Sequence, residues 1–328
     1  MIGWYVHAHG RGHLQRLQCV AAHLRTPVTA LSSLPPPPGW SGAWVVLPDD
    51  LPGAGAGAPT DPTAGGTLHW APRGHAGLRD RMAAIASWVA AARPALVVVD
   101  VSVEVAVLVR SMGVPVVVAA MRGERTDRAH TTAYDLADAL LAPWPATRPE
   151  PWPARWLART WHVGALSRFD GRPVEPPPGA QRVAVLWGHG GSDVTAADLQ
   201  AAAAATPAWT WDLSGFDGVA PDPWALLQGA DVVVTHGGQN ALAEVAASRR
   251  PAVVVPQERP HGEQHANARA LTGLAVVRRS WPAPHQWPAL LEAAVRQDVS
   301  GWSEWSDGQG AQRAANRLDA RADELAVA

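Results

Sequence analysis

Along the chain, short apolar runs alternate with alanine-rich stretches that carry helical periodicity. In the first half the runs Ile2–Val6, Ala95–Asp100, Val114–Ala120 and Ala139–Ala142 are apolar almost throughout. Alternating with helical stretches, such runs predict the strands of parallel βαβ units. From His13 onward, Leu14, Leu17, Val20, Ala21 and Leu24 recur at helical spacing. A second helix is expected from Leu78 to Ala92, ended by Arg93-Pro94. The Leu51–Gly66 segment between these helices is rich in glycine and proline and reads as a mobile loop.

The pattern restarts after Pro173–Pro178, a proline-rich linker. Strands are expected at Val183–Trp187, Trp209–Leu213, Asp231–Thr235, Pro251–Pro256 and Ala275–Arg278, with helices between them and a last helix over Gln309–Ala326. This alternation predicts an α/β protein of two Rossmann-like βαβ domains facing across a cleft. The expected divisions are residues 1–170, residues 171–306 and a C-terminal helix over 307–328. A chain of 328 residues also exceeds what one hydrophobic core ordinarily serves.

Composition narrows the function classes. The net charge of -2 leaves no basic excess to neutralise phosphates, which argues against nucleic acid as the main partner. Every basic residue is arginine. The single cysteine, Cys19, excludes an intramolecular disulfide framework and fits a reducing compartment. The opening Met1–Val6 run is too short for a secretory core, and Arg93, Asp100, Glu104 and Arg110 interrupt the longest apolar tracts. The expectation is a soluble, cytoplasmic protein.

The chemistry concentrates in Asp231–Asn267. A strand there runs into His236-Gly237-Gly238, and a helix starts at once with Gln239 and Asn240. Such a junction offers free N–H groups and the positive end of a helix dipole to a phosphate. Glu244, one turn further, suits a pair of ribose hydroxyls, and Glu263-Gln264, in the loop after the next strand, suits sugar hydroxyls. A second glycine loop, Gly188-His189-Gly190-Gly191-Ser192, follows the strand Val183–Trp187 and reads by itself as a plain turn in which Ser192 or Asp193 caps the next helix.

Thr235-His236-Gly237-Gly238-Gln239-Asn240 followed by Glu244 resembles the signature of UDP-glycosyltransferases. The spacing from Glu244 to Glu263-Gln264 is more similar to that of the lipid-linked N-acetylglucosaminyltransferase of peptidoglycan synthesis. The resemblance implies a GT-B fold and a nucleotide-sugar donor, which is a substrate rather than a cofactor. It implies that His236, Gly237 and Gly238 cradle the diphosphate, that Glu244 holds the ribose, that Glu263 and Gln264 hold the sugar, and that the Gly190-Gly191-Ser192 loop, if more than a turn, contacts the diphosphate or sugar. One departure stands out: Ser248-Arg249-Arg250 occupies a helix end where such proteins usually have glycine. Arginine takes the left-handed cap less readily than glycine, by about 1 kcal/mol.

Near the N-terminus, His9-Gly10-Arg11-Gly12-His13 ends the first strand. Gln15 stands where a dinucleotide fingerprint would have its third glycine, so NAD is a poor reading. The segment resembles the Gly-x-Gly-His loop that opens these glycosyltransferases. His13 is then the candidate general base for an inverting transfer, with Gly10 and Gly12 shaping an acceptor or phosphate loop. Alternatively, His13 is a phosphate ligand. Asp100, at the end of another strand, either fixes the His13 tautomer or caps the helix over Val101–Arg110. Glu104 is a reserve base. No Asp-x-Asp motif and no closely spaced His/Cys set occurs, so no metal and no cofactor is implied.

Two further clusters are ambiguous. Arg73, His75, Arg79 and Arg81 either grip an acceptor or form a solvated helix face. Trp152, Arg155, Trp156 and Arg159 either rest weakly on a membrane surface or pack on their own domain. The expected function is transfer of a sugar, metal-independent and inverting, from a UDP-type donor to a small-molecule or lipid-linked hydroxyl acceptor. The alternatives are a UDP-sugar 2-epimerase or hydrolase on the same scaffold, and a non-catalytic nucleotide-sugar-binding subunit.

Overall fold

The computed structural model describes residues 1–8, 10–51, 58–187, 192–216, 220 and 222–327. Its first sheet contains β1 (Ile2–Val6), β2 (Val28–Ser32), β3 (Ala43–Val46), β4 (Leu96–Asp100), β5 (Val116–Ala119), β6 (Ala139–Ala142) and β7 (Thr160–His162). Its second contains β8 (Arg182–Leu186), β9 (Thr210–Asp212), β10 (Val232–Thr235), β11 (Ala252–Val254) and β12 (Val276–Val277). The orders are β3-β2-β1-β4-β5-β6-β7 and β12-β11-β10-β8-β9, and every pairing is parallel. Parallel strands are covered on both faces, and β1, β4, β5 and β6 are accordingly buried at every residue.

The first lobe carries helices α1 (Gly12–Ala21), α2 (Ala76–Ala92), α3 (Val103–Ser111), α4 (Arg128–Leu136) and the single turn α5 (Ala154–Leu157). In the second lobe are α6 (Ala196–Ala204), α7 (Pro223–Gln228), α8 (Gln239–Ser248), α9 (Glu263–Ala270) and α10 (Trp287–Val295); the chain then runs through α11 (Trp302–Trp305) to α12 (Gly310–Val327). Gly3 in β1 makes room for α2: a Cβ there would lie 2.6 Å from the Trp88 ring. One apolar cluster includes Val99 and Leu140 of the first lobe, Leu242 and Val254 of the second, and Phe169, Trp302 and Trp305 of the connecting segments.

The last helix does not stay with the second sheet. Ala311, Ala314, Ala315, Leu318 and Ala322 of α12 share a core with Ile2, Trp4, Leu17 and Val20. Its entry is tight, since a Cβ on Gly310 would meet the Ala165 carbonyl at 2.2 Å. The buried Asp319 carboxylate accepts from the backbone N–H groups of Arg25 and Thr26 at 3.0 and 2.9 Å.

Several local readings resolve. The expected strand cores and the helices from His13 and near Leu78 are present. The strands β2, β3 and β7 and the helix α4 are additional. Arg81 is not on a solvated face: it is 2% exposed and bonds to the Pro48 carbonyl, the Tyr5 hydroxyl, Ser33 and Asp50. His75 caps α2 by accepting from the Leu78 N–H. Trp152 and Trp156 pack against Tyr134 inside their own lobe, and Arg155 pairs with Asp135. Of the Leu51–Gly66 segment, residues 52–57 lie outside the described residues. No helix among the described residues is long and apolar enough to cross a membrane.

Candidate functional site

In an open parallel sheet, ligands bind beyond the carboxyl ends of the strands, where the strand order reverses. That point lies between β1 and β4 in the first sheet and between β8 and β10 in the second. His13 follows β1 and Asp100 ends β4; His236-Gly237-Gly238 follows β10. Gly190 and Gly191, in the loop after β8, lie outside the described residues. The neighbouring Ser192 bonds locally to Val194, and α6 is capped by Thr195 through a capping box with Asp198, not by Ser192 or Asp193.

Asp100 is fully buried, and its Oδ1 lies 2.8 Å from His13 Nδ1. It does not cap the following helix; Ser102 does, its side chain accepting from the Val105 N–H. Arg16, one turn after His13, donates to the same Asp100 oxygen. Burial alone would raise the Asp100 carboxyl, but Arg16 and then His13 outweigh it and hold the group below its ordinary value. The ionised carboxylate accepts from His13 Nδ1–H, which leaves Nε2 as the ring's acceptor. Glu104 is otherwise engaged: it accepts from the backbone N–H groups of His69 and Trp70 at 2.7 and 2.9 Å and from Ser102.

The α8 helix begins with Gly238 as N-cap and no side-chain cap, so its first N–H groups are unclaimed by a capping residue. The two glycines are sterically required. A Cβ on Gly237 would stand 2.4 Å from the Gln264 carbonyl, and one on Gly238 would stand 2.4 Å from the His236 ring. His236 Nδ1 accepts from the Gly238 N–H at 2.9 Å, so the ring proton sits on Nε2. Burial, helped by Arg259, holds the His236 pKa down to about 4, and the ring is neutral.

Gln264 ties loops together: its oxygen accepts from the N–H groups of Gly237 and Gln257 at 3.1 and 2.9 Å. Both bonds use the oxygen and leave the NH2 group as the side chain's donor. Asn267 adds a bond to the Gly237 carbonyl at 2.8 Å. Burial pushes the Glu263 carboxyl up, against the pull of Arg125, Arg16, His13 and Arg259.

The starts of α1 and α8 meet across the cleft. Asn240 donates to the Gly12 carbonyl at 3.3 Å, Arg16 to Gln239 at 2.8 Å, and Gln15 to Glu244 at 3.1 Å. Arg168 adds an ion pair to Glu244 at 2.9 Å. Burial raises the Glu244 carboxyl, while Arg168 and Gln15 pull it down. Gly10 has φ +83, a conformation open to glycine, at the turn into α1. The fold thus gathers His13, Asp100, Gly12, Gln239, Asn240 and Glu244 in one contact network. Sequence reasoning missed Arg16, Gln15 and Arg168. Arg16 lies one turn beyond His13, on the same helix face, and that spacing was its signal.

Residues 220–280 match the glycosyltransferase family 28 C-terminal domain. Of solved structures, a UDP-glucosyltransferase from Polygonum tinctorium superposes with TM-score 0.68 at 15% identity, covering 98% of both chains. MurG from Acinetobacter baumannii gives 0.62 at 14% identity, covering 98% of this chain and 99% of that one. The fold is GT-B. The GT-B match extends over the whole chain, whereas sequence similarity is local. An uncharacterised glycosyltransferase of Methanopyrus kandleri is 38% identical over 96 residues, which span 27% of this chain and 26% of the relative.

Proposed function

We propose that this GT-B protein transfers a sugar from a nucleoside-diphosphate sugar to a hydroxyl acceptor with inversion. The observation that carries the proposal is the meeting of α1 and α8, with the His13–Asp100 pair on one side and His236-Gly237-Gly238 on the other. The acceptor oxygen attacks the anomeric carbon as its proton passes to His13 Nε2, and the bond from that carbon to the diphosphate breaks. Asp100 fixes the tautomer and stabilises the imidazolium. The departing diphosphate is received by the N–H groups that open α8 and by the His236 Nε2–H. Glu244 takes the ribose hydroxyls, exchanging its bonds to Gln15 and Arg168 for them. Glu263 and the Gln264 NH2 group take the sugar.

A uridine donor is supported by a solved neighbour, UGT2 of Phytolacca americana, which was captured with UDP-2-fluoro-glucose and pterostilbene; it has TM-score 0.63 and 15% identity. The donor-side role of residues 231–267 is supported by the family 28 match. A helix start and a neutral histidine donor supply what a metal would otherwise do for the leaving group, so the proposed chemistry runs without one.

A thermal-shift screen of nucleotide-sugars tests the proposal. A ligand at a hundredfold excess over its dissociation constant adds roughly 2.7 kcal/mol to the folded state. The donor so found is then incubated with and without a hydroxyl acceptor, in EDTA. Transfer in EDTA supports the proposal. Epimerised sugar without acceptor would favour the epimerase reading, and binding without any turnover would favour a non-catalytic subunit. Activity restored only by magnesium or manganese would sink the metal-free mechanism.

A further inference from the structure

Beyond the transfer site, three separated segments bring His69, Asp127, His130 and His261 together, each offering a ligand atom within 4.8 Å of the others. His69 follows the glycine-rich segment, Asp127 and His130 open α4 in the first lobe, and His261 precedes α9 in the second. His69 Nε2 lies 3.3 Å from Asp127 Oδ1, and His261 Nδ1 lies 3.7 Å from Oδ2. Ligands held about 2.0–2.2 Å from a tetrahedral ion stand about 3.3 Å from one another, so these spacings are close to those of a metal's coordination shell.

His130 has a different part. Arg125 donates to its Nε2 at 3.1 Å, and a guanidinium has no acceptor to offer in exchange. The His130 proton is therefore on Nδ1, which donates to Asp127 Oδ2 at 2.5 Å. Both ring nitrogens are used, and the ring fixes the carboxylate as a positioning residue rather than binding an ion itself.

The surrounding backbone is shaped to present the other two rings. Glu104 pins the N–H groups of His69 and Trp70. The His261 carbonyl accepts from the Glu124 N–H at 2.8 Å, and a Cβ on Gly123 would stand 2.3 Å from that carbonyl. His261 itself has φ +62, a left-handed conformation that a residue with a side chain rarely adopts unless its surroundings demand it.

We propose that His69, Asp127 and His261 bind one divalent transition-metal ion that clamps the two lobes together, with water completing its coordination. Two imidazoles and a carboxylate select zinc, cobalt or nickel over magnesium or calcium. The ion takes no part in receiving the diphosphate. Its effect is on the loop that carries His261, Glu263 and Gln264.

The test uses the untagged full-length protein, stripped with chelator and titrated with Co2+ and Zn2+. One equivalent of Co2+ should develop the visible bands of a nitrogen- and oxygen-ligated ion, and Zn2+ should displace it. Zn2+ should also raise the Tm. His261→Ala and His69→Ala should abolish both responses, and His130→Gln should weaken Zn2+ binding about 10–100-fold. Asp127→Asn, which retains an acceptor for the α4 cap, should also lose the site. His23→Ala, on a histidine outside the cluster, should leave binding intact. Circular dichroism of each stripped variant separates loss of binding from loss of fold. Absence of saturable binding by the folded wild-type protein, or binding that survives both His69→Ala and His261→Ala, overturns the proposal.

Discussion

The loops that open α1 and α8 are built alike, each leading from a parallel strand into a helix with a histidine beside glycine. Their electrostatics are opposite. His13 faces a buried carboxylate, Asp100, which accepts from its Nδ1. His236 has Arg259 as its charged influence, and its Nδ1 accepts from a backbone N–H. The first arrangement leaves a ring acceptor next to an anion, suited to taking a proton. The second leaves a neutral ring with one donor, suited to an oxyanion. In the proposed mechanism one topological device thus serves two chemical roles, told apart by the partner of Nδ1.

The largest test of this contrast is His13→Ala. Loss of a general base should lower kcat by about 10²–10⁴ with UDP affinity nearly unchanged, because the proposed donor contacts lie in the second lobe. Asp100→Asn should lower kcat less, and the double variant should fall short of the product of the two losses. If His13→Ala weakens UDP binding and spares kcat, the ring is a phosphate ligand and the contrast collapses.

Donor affinity is the next test. Glu244→Ala should weaken UDP binding by roughly 1.5–3 kcal/mol, as for a charge-assisted hydrogen bond. Calorimetry showing unchanged affinity would leave Glu244 with only its observed role, bridging the lobes through Gln15 and Arg168.

Acid should expose the His236 side of the comparison. Below pH 6.5 the unfolded chain protonates at this histidine, whereas the folded chain resists until about pH 4. The unfolded state then binds more protons, so stability falls as pH drops through that window, by up to about 3 kcal/mol. His130, held down to about 3 by burial and Arg125, adds to the same slope. Chemical denaturation of His236→Gln between pH 7 and 4 should show a shallower decline. A slope equal to that of the wild type would mean that His236 is not held neutral by the fold.

The smallest effect is expected where α8 ends. Arg249 takes the left-handed cap with φ 55, a conformation that glycine adopts without strain. Its guanidinium donates to the Ala246 and Ser306 carbonyls, both at 2.7 Å. Arg249→Gly relieves about 1 kcal/mol of backbone strain and loses hydrogen bonds of comparable worth, so the unfolding free energy from denaturant titration should change by less than about 1 kcal/mol. A loss of several kcal/mol would make Arg249 a principal tie between α8 and the connecting segment.

The most readable parts of the sequence were those fixed by local pattern. Strands such as Leu96–Asp100 are unbroken apolar runs, and polar residues at their ends mark the sheet edge where His13 and Asp100 meet. The edge strand Thr160–His162 has no such run, and Ala43–Val46, though apolar, is only four residues long and partly exposed, so neither stands out by pattern. Arg16 and Arg81 are buried arginines on helices, and a charged residue in a helix ordinarily indicates the wet face. The cluster of His69, Asp127 and His261 was invisible because its members come from distant segments that only the closed pair of lobes assembles.

The return of α12 to the first sheet sets an order of events during synthesis. Residues 2–162 leave the ribosome before the second lobe, yet their core includes Ala311, Ala314 and Leu318, which are translated after it. The second lobe has all of its strands by residue 277 and can close while the first still lacks a covering layer. The packing of the first lobe is therefore completed only after the second lobe has been made. Until α12 docks, Ile2, Trp4 and Leu17 lack the helix that packs on them, and such exposed apolar surface makes a nascent chain prone to aggregate.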